Sequence, residues 1–205
     1  MKCRMIHAAL FASLLCCVPA HATLSFNVQS VAASAGDVGD VLDVTLTNTG
    51  APLTIGGFSF GLSVADSHIV FTDATIGTTT ATYIFNGHSL FGPGIIISGA
   101  GTQSLTAGDN YDTSNAGATV GTGATVGLGH VFFNVLAGVP VGPIAVTLAS
   151  FPTSSLSDNN GNDVTIGVFN NGFITIPSGA VPEPSSLVLL AVGLAALAWA
   201  RKRLP

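Results

Sequence analysis

Phe58-Ser59-Phe60-Gly61-Leu62-Ser63-Val64 puts an apolar side chain at every second position and a small or hydroxyl residue between. Successive side chains of an extended chain point to opposite faces, so a period of two describes a strand with one buried and one wet face. The pattern recurs upstream. Leu24, Phe26 and Val28 alternate with Ser25, Asn27 and Gln29, and Leu42, Val44 and Leu46 alternate with Asp43, Thr45 and Thr47. Further strands are predicted over residues 70–76, 80–85, 95–98, 126–136, 144–149, 164–169 and 173–176. Asn171-Gly172 reads as a type I′ hairpin turn joining the last two. No stretch between residues 23 and 177 carries capped helical periodicity. Residues 99–123, rich in Gly and Thr, read as a long loop or inserted segment. Many short strands between frequent turns imply one all-β domain over residues 23–177, a jelly-roll β-sandwich.

Several motifs add to this. Gly36-Asp37-Val38-Gly39-Asp40 precedes the strand at 41–48, and Ile55-Gly56-Gly57 leads into Phe58. Gly129-His130-Val131-Phe132-Phe133-Asn134-Val135 is followed by Pro140-Val141-Gly142. Asn159-Asn160-Gly161 and Val164-Thr165-Ile166 come next, closed by Asn171-Gly172-Phe173-Ile174-Thr175-Ile176. Over roughly residues 36–176 this order resembles the cohesin-like domains, relatives of cellulose-binding modules. The resemblance implies a jelly roll of about nine strands. No local motif here corresponds to that family's dockerin-binding face.

The end of the chain has another character. Val181-Pro182-Glu183-Pro184 is followed by an apolar run at 187–200 and then Arg201-Lys202-Arg203. The two prolines hold their neighbours extended, so residues 178–186 read as a stiff linker open to a processing enzyme. The fourteen apolar residues span roughly 21 Å as a helix, shorter than a hydrocarbon core of about 30 Å. Ser185, Ser186 and Trp199 suit the two interfaces. The basic residues at 201–203 act as a membrane stop that keeps residues 201–205 cytoplasmic and everything before Val181 outside. These three parts in this order resemble the PEP-CTERM sorting signal of bacterial envelope proteins. That resemblance implies cutting at Pro182, Glu183 and Pro184 by an exosortase-type membrane protease, and association with exopolysaccharide in biofilm or floc.

Lys2 and Arg4, an apolar stretch at 6–18 and Ala20-His21-Ala22 form a secretory signal peptide over residues 1–22, with signal peptidase cutting after Ala22. Cys3, Cys16 and Cys17 all fall inside it, so the mature domain has no thiol for a disulfide or a metal. All five basic residues belong to the two targeting segments. Residues 23–180 hold nine Asp and no Lys, Arg or Glu, a charge near −9. Such a surface cannot neutralise phosphates, which excludes a nucleic-acid partner.

Asp158-Asn159-Asn160-Gly161-Asn162-Asp163 gathers oxygen-bearing side chains suited to a hard cation. Asp158, Asn160, Asn162 and Asp163 are the candidate calcium ligands. The alternative is a plain Asx-rich turn, since no later Glu completes a loop of the EF-hand kind. Asp109-Asn110-Tyr111-Asp112 offers the same choice, and Asp37, Asp40 and Asp43 read as a turn and a wet strand face. His68, His88 and His130 form no spaced ligand pair, and His130 reads as a satisfied sheet residue. Without Glu or a GxSxG elbow, no catalytic residue is assigned. Tyr83, Phe85, Phe91 and Tyr111 are either core and rim residues or contacts for sugar rings. The leading expectation is an exported, non-catalytic surface or matrix protein, with no cofactor unless calcium binds. The alternatives are a carbohydrate-binding or protein-docking module and, after it, a surface hydrolase.

Overall fold

The period-two rows become the facing surfaces of two sheets. The computed structural model describes residues 23–91, 96–113 and 116–178. The leader at 1–22 and the tail from 179 onward, including the sorting motif, the span at 187–200 and the basic end, lie outside the described residues. Among the described residues there is no helix, and none long and apolar enough to cross a membrane.

The first sheet contains β1 (Leu24–Val28), β3 (Asp40–Asn48), β6 (Ile69–Thr75), β10 (Thr125–Val135) and β14 (Val168–Asn170), in the order β14-β1-β3-β10-β6. The second is built on β5 (Gly57–Val64). Along one edge β5 pairs over seven residues with β8 (Ser104–Asn110), which in turn pairs with β7 (Ile96–Ser98). Its other edge is shared by β11 (Gly142–Leu148), beside Leu62 and Val64, and β12 (Ser155–Ser157), beside Gly57 and Ser59. From there β11 continues to β15 (Gly172–Ile176) and β2 (Val31–Ala32), and β12 to β13 (Asp163–Val164). A small ribbon of β4 (Leu53–Ile55) and β9 (Ala118–Val120) completes the set.

Between the sheets lie Phe26, Leu42, Val44, Leu46, Val131 and Phe133 from the first and Phe60, Leu62, Leu105, Val146 and Ile174 from the second, all buried. With no disulfide available, this apolar burial is the main source of stability.

Five expectations are corrected. The run at 99–123 is not a loop: it holds β8 and β9. β8 turns Leu105, Ala107 and Asp109 inward, and the carboxylate at the end of that row disguised it. Residues 80–85 do not form a strand. Tyr83, Ile84 and Phe85 are all buried, which no strand with one wet face allows, and only Tyr83 bridges to β10, at Gly127. The strand predicted at 164–169 divides into β13 in one sheet and β14 in the other. Asn171-Gly172 is therefore no hairpin turn but the crossing between sheets. There Asn171 Oδ1 accepts the Leu148 N–H at 2.9 Å, and a Cβ on Gly172 would meet Gln29 O at 2.7 Å. In place of about nine strands there are eight of five residues or more, with shorter pieces between.

The sandwich has two distinct ends. β1 starts at Leu24 opposite Asn48, whereas β15 ends at Ile176 opposite Gly142. Chain entry and chain exit are thus at opposite ends.

Candidate functional site

Asp43 occupies an outer-row position of β3, between Leu42 and Val44, where a wet face was expected. It is instead fully buried. Residues 78–80 fold over this part of the first sheet, and bare Gly127 makes room for them, since a Cβ there would run into the Thr78 side chain. Asp43 Oδ2 accepts from the Thr79 N–H (2.7 Å), Thr79 Oγ1 (3.1 Å), the Thr80 N–H (2.6 Å) and Thr80 Oγ1 (2.7 Å). Oδ1 lies 2.6 Å from His130 Nδ1, directly across the β3–β10 pairing. Burial pushes the Asp43 carboxyl up, but the hydrogen bonds from His130, Thr80 and Thr79 outweigh it and hold the group below the usual carboxylate range. Phe132 stands edge-on to the His130 ring at 5.1 Å. The threonine hydroxyls donate to the carboxylate and not to His130, so the arrangement is a clamp and not a nucleophile–base relay.

A second carboxylate, Asp109, points into the core. Tyr83 Oη donates to its Oδ2 at 2.6 Å, and Oδ1 accepts the Asn110 N–H at 2.8 Å. Burial, with the Asp109 charge behind it, pushes the Tyr83 hydroxyl far above its ordinary range. Phe58 stacks on Phe60 and touches Tyr83 and Phe85, and Phe85 meets Tyr111 edge-on at 5.7 Å. Of the four aromatics considered for sugar contact, Tyr83 and Phe85 are therefore core. Tyr111 is half-buried beneath His88, 4.8 Å away and nearly parallel, and Phe91 is exposed.

The outer face of β11, β5 and β8 carries Ala145 and Thr147, then Ser59 and Ser63 with Gly61 between them buried under Thr153, then Thr106, Gly108 and Asn110. None of these is charged. Gly108 lets β8 lie close against β5, since a Cβ there would come within 2.6 Å of Phe58 O. On this face a groove of about 240 Å³ runs between Phe91, Ser59, Ser98, Thr106 and Asn110.

The Asp158 turn is closed on itself. Asp158 Oδ1 accepts the N–H groups of Asn160 (2.8 Å) and Asn162 (2.9 Å), and Oδ2 accepts Asn162 Nδ2 (3.0 Å). Those bonds, Asn162 foremost, lower the Asp158 pKa. Donors thus point at both oxygens a cation would need, and Asp163 leaves the turn to pair in β13. Among the described residues no group of three or more His, Cys, Asp or Glu side chains is placed to hold a metal ion.

Residues 180–203 match the PEP-CTERM protein-sorting motif. No curated protein matches the sequence significantly. Among solved structures, the CaCohA2 cohesin of Clostridium acetobutylicum, in complex with CaDoc0917, superposes with a TM-score of 0.58 at 19% identity, over 75% of this chain and 99% of that one. A Clostridium thermocellum OlpA cohesin in a type I cohesin–dockerin complex gives 0.56 at 16% identity, over 75% and 99%. The sixth cohesin of Acetivibrio cellulolyticus scaffoldin B, bound to a Cel5 dockerin, gives 0.55 at 16% identity, over 76% and 98%. At these identities the likeness establishes the fold. The chain thus joins a β-sandwich similar in structure to cohesin domains to a C-terminal PEP-CTERM protein-sorting motif.

Proposed function

We propose that the sandwich is a non-catalytic docking module, exported by its leader and presented at the cell surface or in the matrix through its tail. An exosortase-type protease severs that tail at Pro182-Glu183-Pro184 after residues 187–200 have halted in the membrane. The observation that carries the reading is the union of a sorting motif at 180–203 with a cohesin-like sandwich whose β11–β5–β8 outer face carries no charged side chain. The related cohesins above are seen with dockerins. A partner of this chain would meet hydroxyls and amides, so its affinity would depend weakly on salt.

Two arms test it. Glu183→Ala in the native host is expected to leave full-length protein in the membrane, while the wild type is recovered in the surface fraction, starting at Thr23 and lacking Arg201, Lys202 and Arg203. Recovery of wild-type protein with those residues attached refutes processing. In the second arm, purified protein is bound to cells that lack it. Thr106→Glu, with melting unchanged, is expected to abolish retention, and equal retention refutes docking through this face.

A second reading, neutral saccharide binding, is favoured by the groove in which exposed Phe91 stands beside hydroxyl and amide groups. It would give the chain a means of associating with exopolysaccharide, as the resemblance of its tail implies. A glycan array separates the two: saccharide binding lost in Phe91→Ala supports the second reading.

A further inference from the structure

Ile176 ends the last strand beside Gly142, and the chain leaves the sandwich there. Three connections cluster at this end. The turn at 34–39 is tied to the end of β10, with the Gly36 N–H on Val135 O and the Val135 N–H on Asp37 O, each at 2.9 Å. The Leu136 N–H reaches His68 O at 2.7 Å, which joins the turn at 65–68 to the same group. These loops expose large apolar side chains: Val38 is 79% accessible, Leu136 47% and Val141 65%. Single exposed apolar residues are ordinary on a protein surface. Here three of them stand on loops around the point where the chain departs.

The length of chain that follows decides what they face. Ten residues, 177–186, separate Ile176 from Leu187, where the apolar run begins. Fully extended, they reach at most roughly 35 Å. The far end of the sandwich, with Asn48 and the Asp158 turn, is further off by about the length of β10, eleven residues or roughly 37 Å. We infer that Val38, Leu136 and Val141 form a lipid-contacting rim that seats the sandwich on the bilayer surface while the tail is inserted. This rests on the reading of residues 187–200 as a membrane span. Asp37, Asp40 and Asp66 flank the rim, with His68 Nδ1 2.7 Å from Asp66 Oδ1. The seat therefore uses apolar tips and zwitterionic lipid, since an anionic surface repels these carboxylates. Seating also keeps Pro182-Glu183-Pro184 at the interface, within reach of a protease embedded in the same membrane.

The test uses the full chain with Cys3, Cys16 and Cys17 replaced by Ser, made in a bacterial host without an exosortase and reconstituted in phosphatidylcholine vesicles. One cysteine at a time is placed by Val38→Cys, Val141→Cys or, at the far end, Asn160→Cys, and labelled with an environment-sensitive fluorophore. Expected are a blue shift and quenching by a lipid-borne quencher at 38 and 141, with neither at 160. In a chain labelled through Ala137→Cys, adding Val38→Asp and Val141→Asp is expected to reduce quenching severalfold. If the chain survives a carbonate wash on the vesicles but 38 and 141 are no better quenched than 160, the rim is refuted and the membrane span stands. If the wash strips the chain from the vesicles, the span fails and the rim with it. Equal strong quenching at all three positions means the sandwich lies on its side, which also overturns the proposal.

Discussion

Asp43→Ala removes the acceptor of five hydrogen bonds in one step. Two backbone N–H groups and His130 Nδ1 lose their partner. A buried donor left alone costs about 1–3 kcal/mol. Thr79 and Thr80 are exposed, however, so their amides regain water once the 78–80 segment lifts. What remains is a buried histidine without its carboxylate and a segment no longer fastened to the sheet. Hydrogen bonds to a charged acceptor are worth about 1.5–3 kcal/mol each, so losing the one from His130 and the net fastening of the segment comes to about 3–6 kcal/mol. At about 2–4 °C per kcal/mol for a domain of this size, melting falls by roughly 6–24 °C. Urea titration of wild type, Asp43→Ala, His130→Ala and the double variant measures both the loss and the coupling. The pH dependence gives a second readout. The folded pKa of Asp43 is depressed, so its contribution is present above the unfolded value of about 3.9 and is lost as pH falls through the folded one. Asp43→Ala should lack that part of the acid sensitivity. A loss below about 1 kcal/mol, or additive single variants, would show that the clamp holds nothing.

Tyr83→Phe takes the phenolic donor from a buried Asp109 oxygen and should cost about 1.5–3 kcal/mol, read by denaturant titration. Gly172→Ala pushes a Cβ against Gln29 O and Val28 O at the crossing between sheets and should destabilise by about 1–3 kcal/mol, although alanine normally favours the folded state. Millimolar calcium should leave the melting temperature unchanged, because Asp158 already spends both oxygens on its own turn. A rise abolished by Asp158→Ala would support the metal reading instead.

The strands legible in the sequence are those whose inward row is wholly apolar: Leu24-Phe26-Val28, Leu42-Val44-Leu46 and Phe58-Phe60-Leu62-Val64. β8 was not legible, because its inward row ends in Asp109 and the partner that makes that burial tolerable, Tyr83, comes from elsewhere in the chain. Residues 80–85 read locally as a strand, whereas Tyr83, Ile84 and Phe85 are all buried and Tyr83 is held by Asp109. Asp43 has the local pattern of a wet residue, and its cover arrives from residues 78–80. Asn171-Gly172 is a strong hairpin signal in isolation, but β14 and β15 each find a longer partner in a different sheet. In each of these cases the deciding partner lies far away along the chain. The Asp158 turn is local, and its hydrogen bonds span only a few residues, so its Asx-rich composition announced it.

Entry and exit at opposite ends also set how the sandwich bears load. A pull on the chain beyond Ser178 runs along β15, whose five paired positions with β11 stretch from Ile176 to Gly172. Their hydrogen bonds lie across the strand axis. They are therefore strained together, in shear, instead of being opened one after another from a free end. β2, parallel to β15 on its other side, shares the strain. A partner gripping the outer face of β5 and β8 would thus pull against the chain beyond Ser178 through these bonds in shear.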